Sequence, residues 1–458
     1  MKLSRVMIAA PKSGSGKTSI TCGLLSALKG RGMKPVSYKC GPDYIDPMFH
    51  KTVLGIPSKN LDTFFTDEKT TINLMLDDRQ EDEFALIEGV MGLYDGLGGV
   101  REEGSSYHLA KVTKTPIILV LNAKGMGKSL LALISGFLLY DKEKLIKGVI
   151  LNRMSKGYYD TIAPHIEEEL GIKVIGYVPD KMDFELGSRH LGLILPDEID
   201  GIATKLNEIG KELEATLDIN KLIEIGQTAS DIQCEKDSQT LDNSSNNQKP
   251  VIAVAYDQAF CFYYEDNINL LRKFGAEIKY FSPLKDRELP EGTSMVVLGG
   301  GYPENYLEEL SSNSNMLEAI RSANKEGLPI IAECGGFMYL HESITNKDGK
   351  EYKMAGILPG GCIYKNKLVR FGYIELNSTK ASSWISKESI KGHEFHYFDC
   401  DNNGDDFLAV KPVTGKTYPC IINKDNVFAG FPHLYYPSNP AFARCIVDKA
   451  AEYQSKVL

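Results

Sequence analysis

The chain has 458 residues, more than one ordinary domain holds, so two or three domains are expected. Its 43% hydrophobic and 25% charged residues fit a globular protein in water, and a formal net charge of −9 argues against a general nucleic-acid binder while leaving room for a local basic pocket. No apolar run is long enough to span a bilayer. The nine cysteines (22, 40, 234, 261, 334, 362, 400, 420 and 445) show no CxxC pair or metal spacing, which fits core residues in a reducing cytoplasm.

Met1–Ala10 has the outline of a short signal peptide, but its apolar run is brief and leads straight into a glycine-rich loop, so it reads as a buried first strand. From Val6 to about Tyr177, short apolar runs alternate with helical patterns. Phe84–Ile87, Pro116–Leu121, Val149–Leu151 and Val174–Tyr177 read as buried strands of a parallel sheet. Asp197–Gly226 reads as amphipathic helix, and Thr228–Lys249 as too polar to bury. A second α/β unit then opens at Val251–Tyr256 and continues through Ile278–Phe281, Met295–Leu298 and Ile330–Glu333. The expected fold class is α/β, in two domains at 1–226 and 249–458, with an exposed linker at 227–248.

The loop Ala10-Pro11-Lys12-Ser13-Gly14-Ser15-Gly16-Lys17-Thr18 lies between a strand and a helix, the setting a Walker A loop needs. Loop N–H groups and roughly +0.5 charge at the helix N-terminus cradle phosphate. Gly14, Gly16, Lys17 and Thr18 are the nucleotide candidates, Lys17 for the β/γ-phosphates and Thr18 for Mg²⁺. The usual first glycine is replaced by Pro11. Glu88 ends a hydrophobic strand where a metal acid belongs, Asp95 follows in a glycine-rich loop, and Asp43 sits on the turn 41–47. With Thr18 these acids form an oxygen shell suited to a hard cation. Asn152 and Arg153, at a strand end, are candidates for contact with the base or the phosphates, although a strand-end Asn also satisfies itself locally.

Leu328–Phe337 runs a strand into Cys334 and two glycines that open a helix, which is nucleophile-elbow patterning. A helix N-terminus is expected to lower the thiol pKa from about 8.5. His433 is the candidate base, with His393 and His396 as rivals that instead suit substrate carboxylates. Gly300 and Gly301, after the strand ending at Leu298, offer backbone N–H groups for an oxyanion.

With these residues assembled, the chain resembles the cobyrinate a,c-diamide synthase family of cobalamin biosynthesis along essentially its whole length. The resemblance rests on the segments 11–18, Gly-Pro-Asp-Tyr-Ile-Asp-Pro (41–47), Glu-Gly-Val-Met-Gly-Leu-Tyr-Asp-Gly (88–96), Arg-His-Leu-Gly-Leu (189–193), Glu-Cys-Gly-Gly (333–336) and Gly-His-Glu-Phe-His-Tyr (392–397). It implies a dethiobiotin-synthetase-like P-loop domain joined to a triad-type (class I) glutamine amidotransferase domain. It also implies a ligase that amidates the a and c carboxylates of cobyrinic acid, or of a related tetrapyrrole, with ATP and Mg²⁺. Pro11 is usual in that family. By position the resemblance carries Asp43, Glu88 and Asp95 over as metal and phosphate acids, and Cys334 and His433 as the glutaminase pair. Tyr44 and Ile45 fall beside the acceptor carboxylate, and Arg189 and His190 gain from their motif as substrate contacts. Lys39, Arg153 and Arg370 complete the basic candidates for a polyanionic substrate. Two departures stand out: Tyr435 occupies the place where many such glutaminases carry an acid, and Asn122 the place of a strand-end Asp.

A carboxylate does not accept ammonia directly, because oxide is a poor leaving group. Phosphoryl transfer gives an acyl phosphate whose phosphate departs readily. Ammonia released at Cys334 is then expected to travel a shielded path. The alternatives are a different tetrapyrrole such as nickel-sirohydrochlorin, or a regulatory P-loop ATPase with an amidotransferase-like binding domain. Small-molecule substrates, no nucleic acid, no membrane and a cytoplasmic location are expected. A homodimer is compatible with the reading.

Overall fold

The computed structural model describes residues 2–180, the backbone of 188–189 and 192–193, and residues 199–234, 249–379, 384 and 389–457. Seven apolar runs build the first sheet: β1 Ser4–Ala9, β2 Lys34–Cys40, β3 Ser58–Leu61, β4 Glu83–Glu88, β5 Ile117–Asn122, β6 Ile146–Asn152 and β7 Lys173–Val178. Their order is β3-β2-β4-β1-β5-β6-β7, all parallel. Nearly every residue of β1, β4 and β5 is buried, because helices cover both faces of a parallel sheet; that is why these strands are continuously apolar rather than alternating. The strand carboxyl ends carry Glu88, Asn122 and Asn152, and the loop after β1 feeds helix α1 (Lys17–Gly30).

The chain forms two compact units, Met1–Lys236 and Asp237–Leu458. Helices Ile202–Thr216 and Ile219–Gln227 close the first. The helix Ile202–Thr216 meets α1 at glycines: a Cβ on Gly23 would lie 2.6 Å from Leu213 Cδ1, and one on Gly210 2.9 Å from Ser26 Cβ. The polar stretch after Thr228 departs from its expected exposure at its start. Ala229 and Ile232 are buried, and the buried Arg5 guanidinium donates to Ser230 O, Thr113 O and Leu3 O, so this segment is tied down both by apolar side chains and by its backbone. Residues 235–248 lie outside the described residues.

The second unit has a six-stranded sheet in the order Glu277–Phe281, Val251–Ala255, Thr293–Leu298, Ile330–Glu333, Val427–Gly430 and Ile422–Lys424, parallel except for the last pairing. It adds a five-stranded sheet containing Arg370–Ser378, Ile390–His396 and His433–Leu434, and a four-stranded one containing His341–Thr345, Leu358–Tyr364 and Phe398–Cys400. Cys362 and Cys400, opposed in register on two of these strands, are joined as a disulfide, so they depart from the expectation of unpaired core thiols.

Candidate active sites

In the P-loop, Gly14 and Gly16 take φ of 73° and 94°, a region costly for any side chain. Space matters equally at Gly16: a Cβ there would lie 2.3 Å from Asn152 Nδ2. That amide donates to Ser15 O at 2.8 Å, while its Oδ1 accepts the Arg153 N–H at 2.9 Å. Asn152 therefore braces the loop from the end of β6, two strands from β1, with both ends of its amide engaged. The Arg153 guanidinium lies 3.7 Å from Asp180. Lys17 Nζ rests 2.7 Å from Met91 O, in the loop after β4. Burial, with Lys39 adding, lowers the Lys17 ammonium to about 8.

Thr18 Oγ1 donates to Glu88 Oε1 at 2.6 Å, and Lys39 Nζ reaches the same oxygen at 2.9 Å while also pairing with Asp46. Glu88 is fully buried, and its Oε2 has no hydrogen-bond partner, lying 3.7 Å from His50 Nε2. Burial, reinforced by Asp46, pushes the Glu88 carboxyl up to about 7. Burial works against the Asp46 carboxylate too, yet Lys39 holds it below the usual range. Burial, with Asp46 adding, raises Asp43 to about 6, and Asp43 Oδ1 caps the next turn by accepting the Ile45 N–H at 2.8 Å. Asn60 Nδ2 pins that turn through Gly41 O and Asp43 O. A buried carboxylate with an unpartnered oxygen beside a threonine hydroxyl is a donor set that fits a hard cation.

The structure thus gathers Lys17, Thr18, Glu88 and Asn152, and brings Lys39, Asp46 and His50 to them. The sequence marks Lys39 only as a basic candidate for the substrate and gives no role to Asp46 or His50. The second acid of Asp43-Tyr44-Ile45-Asp46, one helical turn into the motif, was the available signal for Asp46. Asp95 is held within its own loop: its Oδ2 accepts the Gly92 N–H at 3.0 Å, and a Cβ on Gly92 would lie 2.3 Å from that oxygen and 2.6 Å from Pro11 O of the phosphate loop. Tyr44 and Ile45 are buried against this turn rather than displayed. The Arg189 side chain and His190 fall outside the described residues; the Arg189 backbone pairs with Gly192.

In the second unit Cys334 has φ 48° and ψ −103°, between the strand Ile330–Glu333 and the helix Gly335–Leu340. A strained non-glycine residue at a strand–helix junction is the geometry of a nucleophile elbow. It is held by Cys334 N–H to Gly430 O at 2.8 Å and Gly336 N–H to Gly299 O at 2.9 Å. The two glycines are steric necessities: a Cβ on Gly336 would lie 2.2 Å from Leu298 O, and one on Gly335 2.9 Å from Pro303 Cδ. The expected lowering of the thiol pKa is corrected. Burial pushes the Cys334 thiol up, Glu304, Glu394 and Glu333 add to this, and the Gly335 N–H offsets only part.

His433 is buried, with Gly300 leaving room for its ring: a Cβ there would lie 2.3 Å from His433 Cε1. Its Nδ1 lies 3.9 Å from Glu333 Oε2. Burial, with His396 adding, lowers its pKa to about 3. Gly301 N lies 3.4 Å from where a Gly335 Cβ would stand, so this backbone runs over the start of the elbow helix.

His393 and His396 do not face a carboxylate site as expected; both are buried. His393 pairs with His433 across adjacent strands, stacks on it at 5.0 Å between ring centres and contacts the Tyr264 hydroxyl at 3.1 Å. His396 stacks on Phe431 at 3.8 Å and bonds Phe398 O through Nδ1 at 2.7 Å. Burial lowers both pKa values, His396 to about 4, which keeps the rings neutral and ill suited to hold carboxylates. Arg370 stands over the Tyr418 ring at 3.8 Å.

Residues 6–194 match the CobQ/CobB/MinD/ParA nucleotide binding domain, and residues 251–441 the CobB/CobQ-like glutamine amidotransferase domain. Fold and matches together define a nucleotide-binding domain and a glutamine amidotransferase domain carried on one chain. Proteins named cobyrinate a,c-diamide synthase are similar throughout. The one from Caldanaerobacter subterraneus subsp. tengcongensis is 37% identical over 98% of this chain and 99% of its own. Those from Clostridium tetani (38% identical, 98% and 100%) and Thermoplasma volcanium (37% identical, 100% and 99%) match as fully. The chain belongs to the cobyrinate a,c-diamide synthase family, whose members are glutamine-hydrolysing ligases.

Proposed function

We propose that the chain converts the a and c carboxylates of cobyrinic acid to amides, consuming one ATP and one glutamine for each. Full-length similarity to named synthases carries the substrate reading. The Cys334 elbow, with His433 3.9 Å from the adjoining Glu333, carries the nitrogen-donor reading.

In this reading Gly14, Gly16 and the start of α1 present N–H groups to the phosphates, and Lys17 leaves Met91 O to follow the transferred phosphoryl group. Thr18 and Glu88, with Asp43, Asp46 or a reoriented Asp95, would hold Mg²⁺, which when bound neutralises charge on the phosphate oxygens. Lys39 keeps the buried acids charge-balanced. Asn152 fixes the loop. In the second domain Cys334 attacks the glutamine amide, His433 passes the thiol proton to the departing ammonia, and the Gly301 N–H stabilises the oxyanion. ATP and glutamine as co-substrates support a cytoplasmic location. A homodimer is compatible with this reading.

The test is mass spectrometry of cobyrinic acid incubated with enzyme, ATP, Mg²⁺ and glutamine. Each amidation exchanges a hydroxyl for an amino group, and two exchanges are expected. Unchanged cobyrinic acid beside amidated nickel-sirohydrochlorin would overturn the substrate assignment. A Cys334→Ser variant should lose the glutamine-dependent reaction and keep the ammonia-dependent one.

A further inference from the structure

Glutaminases that use a Cys–His pair commonly orient the histidine with an acid. At position 435 this chain has Tyr435, whose buried hydroxyl bonds Asp266 Oδ2 at 3.0 Å and so engages that acid away from the His433 ring. A carboxylate nevertheless reaches the ring from another strand. Glu333, the last residue before Cys334, places Oε2 3.9 Å from His433 Nδ1 and 3.4 Å from the Leu434 N–H. The sheet register builds this in: Glu333 pairs with Gly430, and the chain returns as His433 three residues later. Because Cys334 leaves the strand with φ 48°, its side chain is released from the strict strand alternation that would send it to the face opposite Glu333.

We propose that Glu333 is the positioning acid of the glutaminase: its carboxylate accepts the Nδ1–H of His433, which leaves Nε2 as the proton acceptor for the Cys334 thiol. This rests on the reading of Cys334 and His433 as the glutaminase pair. The thiol proton moves to Nε2 as sulfur bonds the glutamine amide carbon. The carbon–nitrogen bond then breaks, and that proton leaves with ammonia. Water hydrolyses the thioester to glutamate and regenerates the thiol. Glu333 keeps its protonation state throughout and offsets the charge on the imidazolium. Such contacts are often long without substrate and shorten in the complex. Burial opposes charge on both partners, raising Glu333 to about 8 and lowering His433, so the ionised Glu333 that accepts the Nδ1–H gains population as pH rises towards about 8. The titratable groups facing it are Cys334, Tyr436 and Tyr263 around Glu333, and His393 and His396 around His433.

The experiment compares E333Q, E333D and the parent for glutaminase kcat and KM across pH, with ammonia-dependent amidation as the control for folding. E333Q should lower glutaminase kcat by roughly 10²-fold or more, with KM for glutamine little changed. It should also shift the limb of the pH profile that reports proton loss from the pair, and E333D should recover part of the rate. E333Q within about threefold of the parent, with the same profile, overturns the role of Glu333. If E333Q loses ammonia-dependent amidation as well, E333D decides: an unshifted profile at the parent rate overturns the role, and a shifted profile supports it. Glutaminase activity surviving in C334S would instead overturn the pair itself, so the two failures are distinguishable.

Discussion

Gly300→Ala tests how tightly the glutaminase site is built. An added Cβ would stand 2.3 Å from His433 Cε1 and 3.1 Å from Nδ1, where ordinary contact begins near 3.4 Å. The ring must therefore retreat by about 1 Å, and His393, stacked on it at 5.0 Å, crowds that move. A misplacement of about 1 Å at a reacting group costs on the order of 10²-fold in rate, or about 2.7 kcal/mol of barrier. The expectation is glutaminase kcat down by about that factor, with ammonia-dependent amidation preserved, because the steps at Lys17 and Glu88 lie in the other unit. Paired assays of glutamate release and of amidation with each nitrogen source read this directly. G300A releasing glutamate within about threefold of the parent would refute the claim that Gly300 is there to admit the His433 ring.

Glu88→Gln removes the charge that Thr18 and Lys39 share, and should lower amidation at least roughly 10²-fold with either nitrogen source; parental rates with ammonia would exclude Glu88 from the phosphoryl step. Asn152→Ala frees Ser15 O and should weaken ATP binding by about 1 kcal/mol, roughly fivefold, measured by titration calorimetry; unchanged affinity would mean the brace is dispensable. His396 has its pKa lowered to about 4, so its contribution to stability is present above the unfolded value of about 6.5 and is lost as pH falls towards 4. From pH 7 to 5 that loss is about 2 kcal/mol, and His396→Gln should flatten the urea-derived stability curve by that amount relative to the parent. Identical curves for the two chains would show that burial does not shift this ring.

Much of the first sheet was legible because its strands are buried on both faces and so read as unbroken apolar runs, as Phe84–Ile87 and Pro116–Leu121 do. The second domain's smaller sheets were not. Arg370–Ser378 and Leu358–Tyr364 mix polar, glycine and half-exposed positions. Cys334 and Lys17 announced themselves through local patterns, since an elbow and a phosphate loop are each built from consecutive residues. Glu333 against His433, and Lys39 bridging Asp46 and Glu88, depend on sheet register and on burial, which no local pattern encodes. The same limit explains the histidines at 393 and 396: their spacing advertises polar chemistry, while the strand pairing hides both rings.

The glycine contact between α1 and the helix Ile202–Thr216 bears on more than packing. Gly23 lies six residues after Lys17, about 9 Å along the axis of α1, so the level at which the two helices touch sets where the first turn of α1 points. The contact works as a bearing seat for Lys17 and Thr18, the side chains proposed above for phosphate and metal. A methyl group at position 23 would meet Leu213 at 2.6 Å and Ile209 at 2.7 Å, lifting the shaft and re-aiming its tip without touching the loop. The reach of Lys17 is thereby set partly from the far side of its own helix, by side chains more than 180 positions later in the chain.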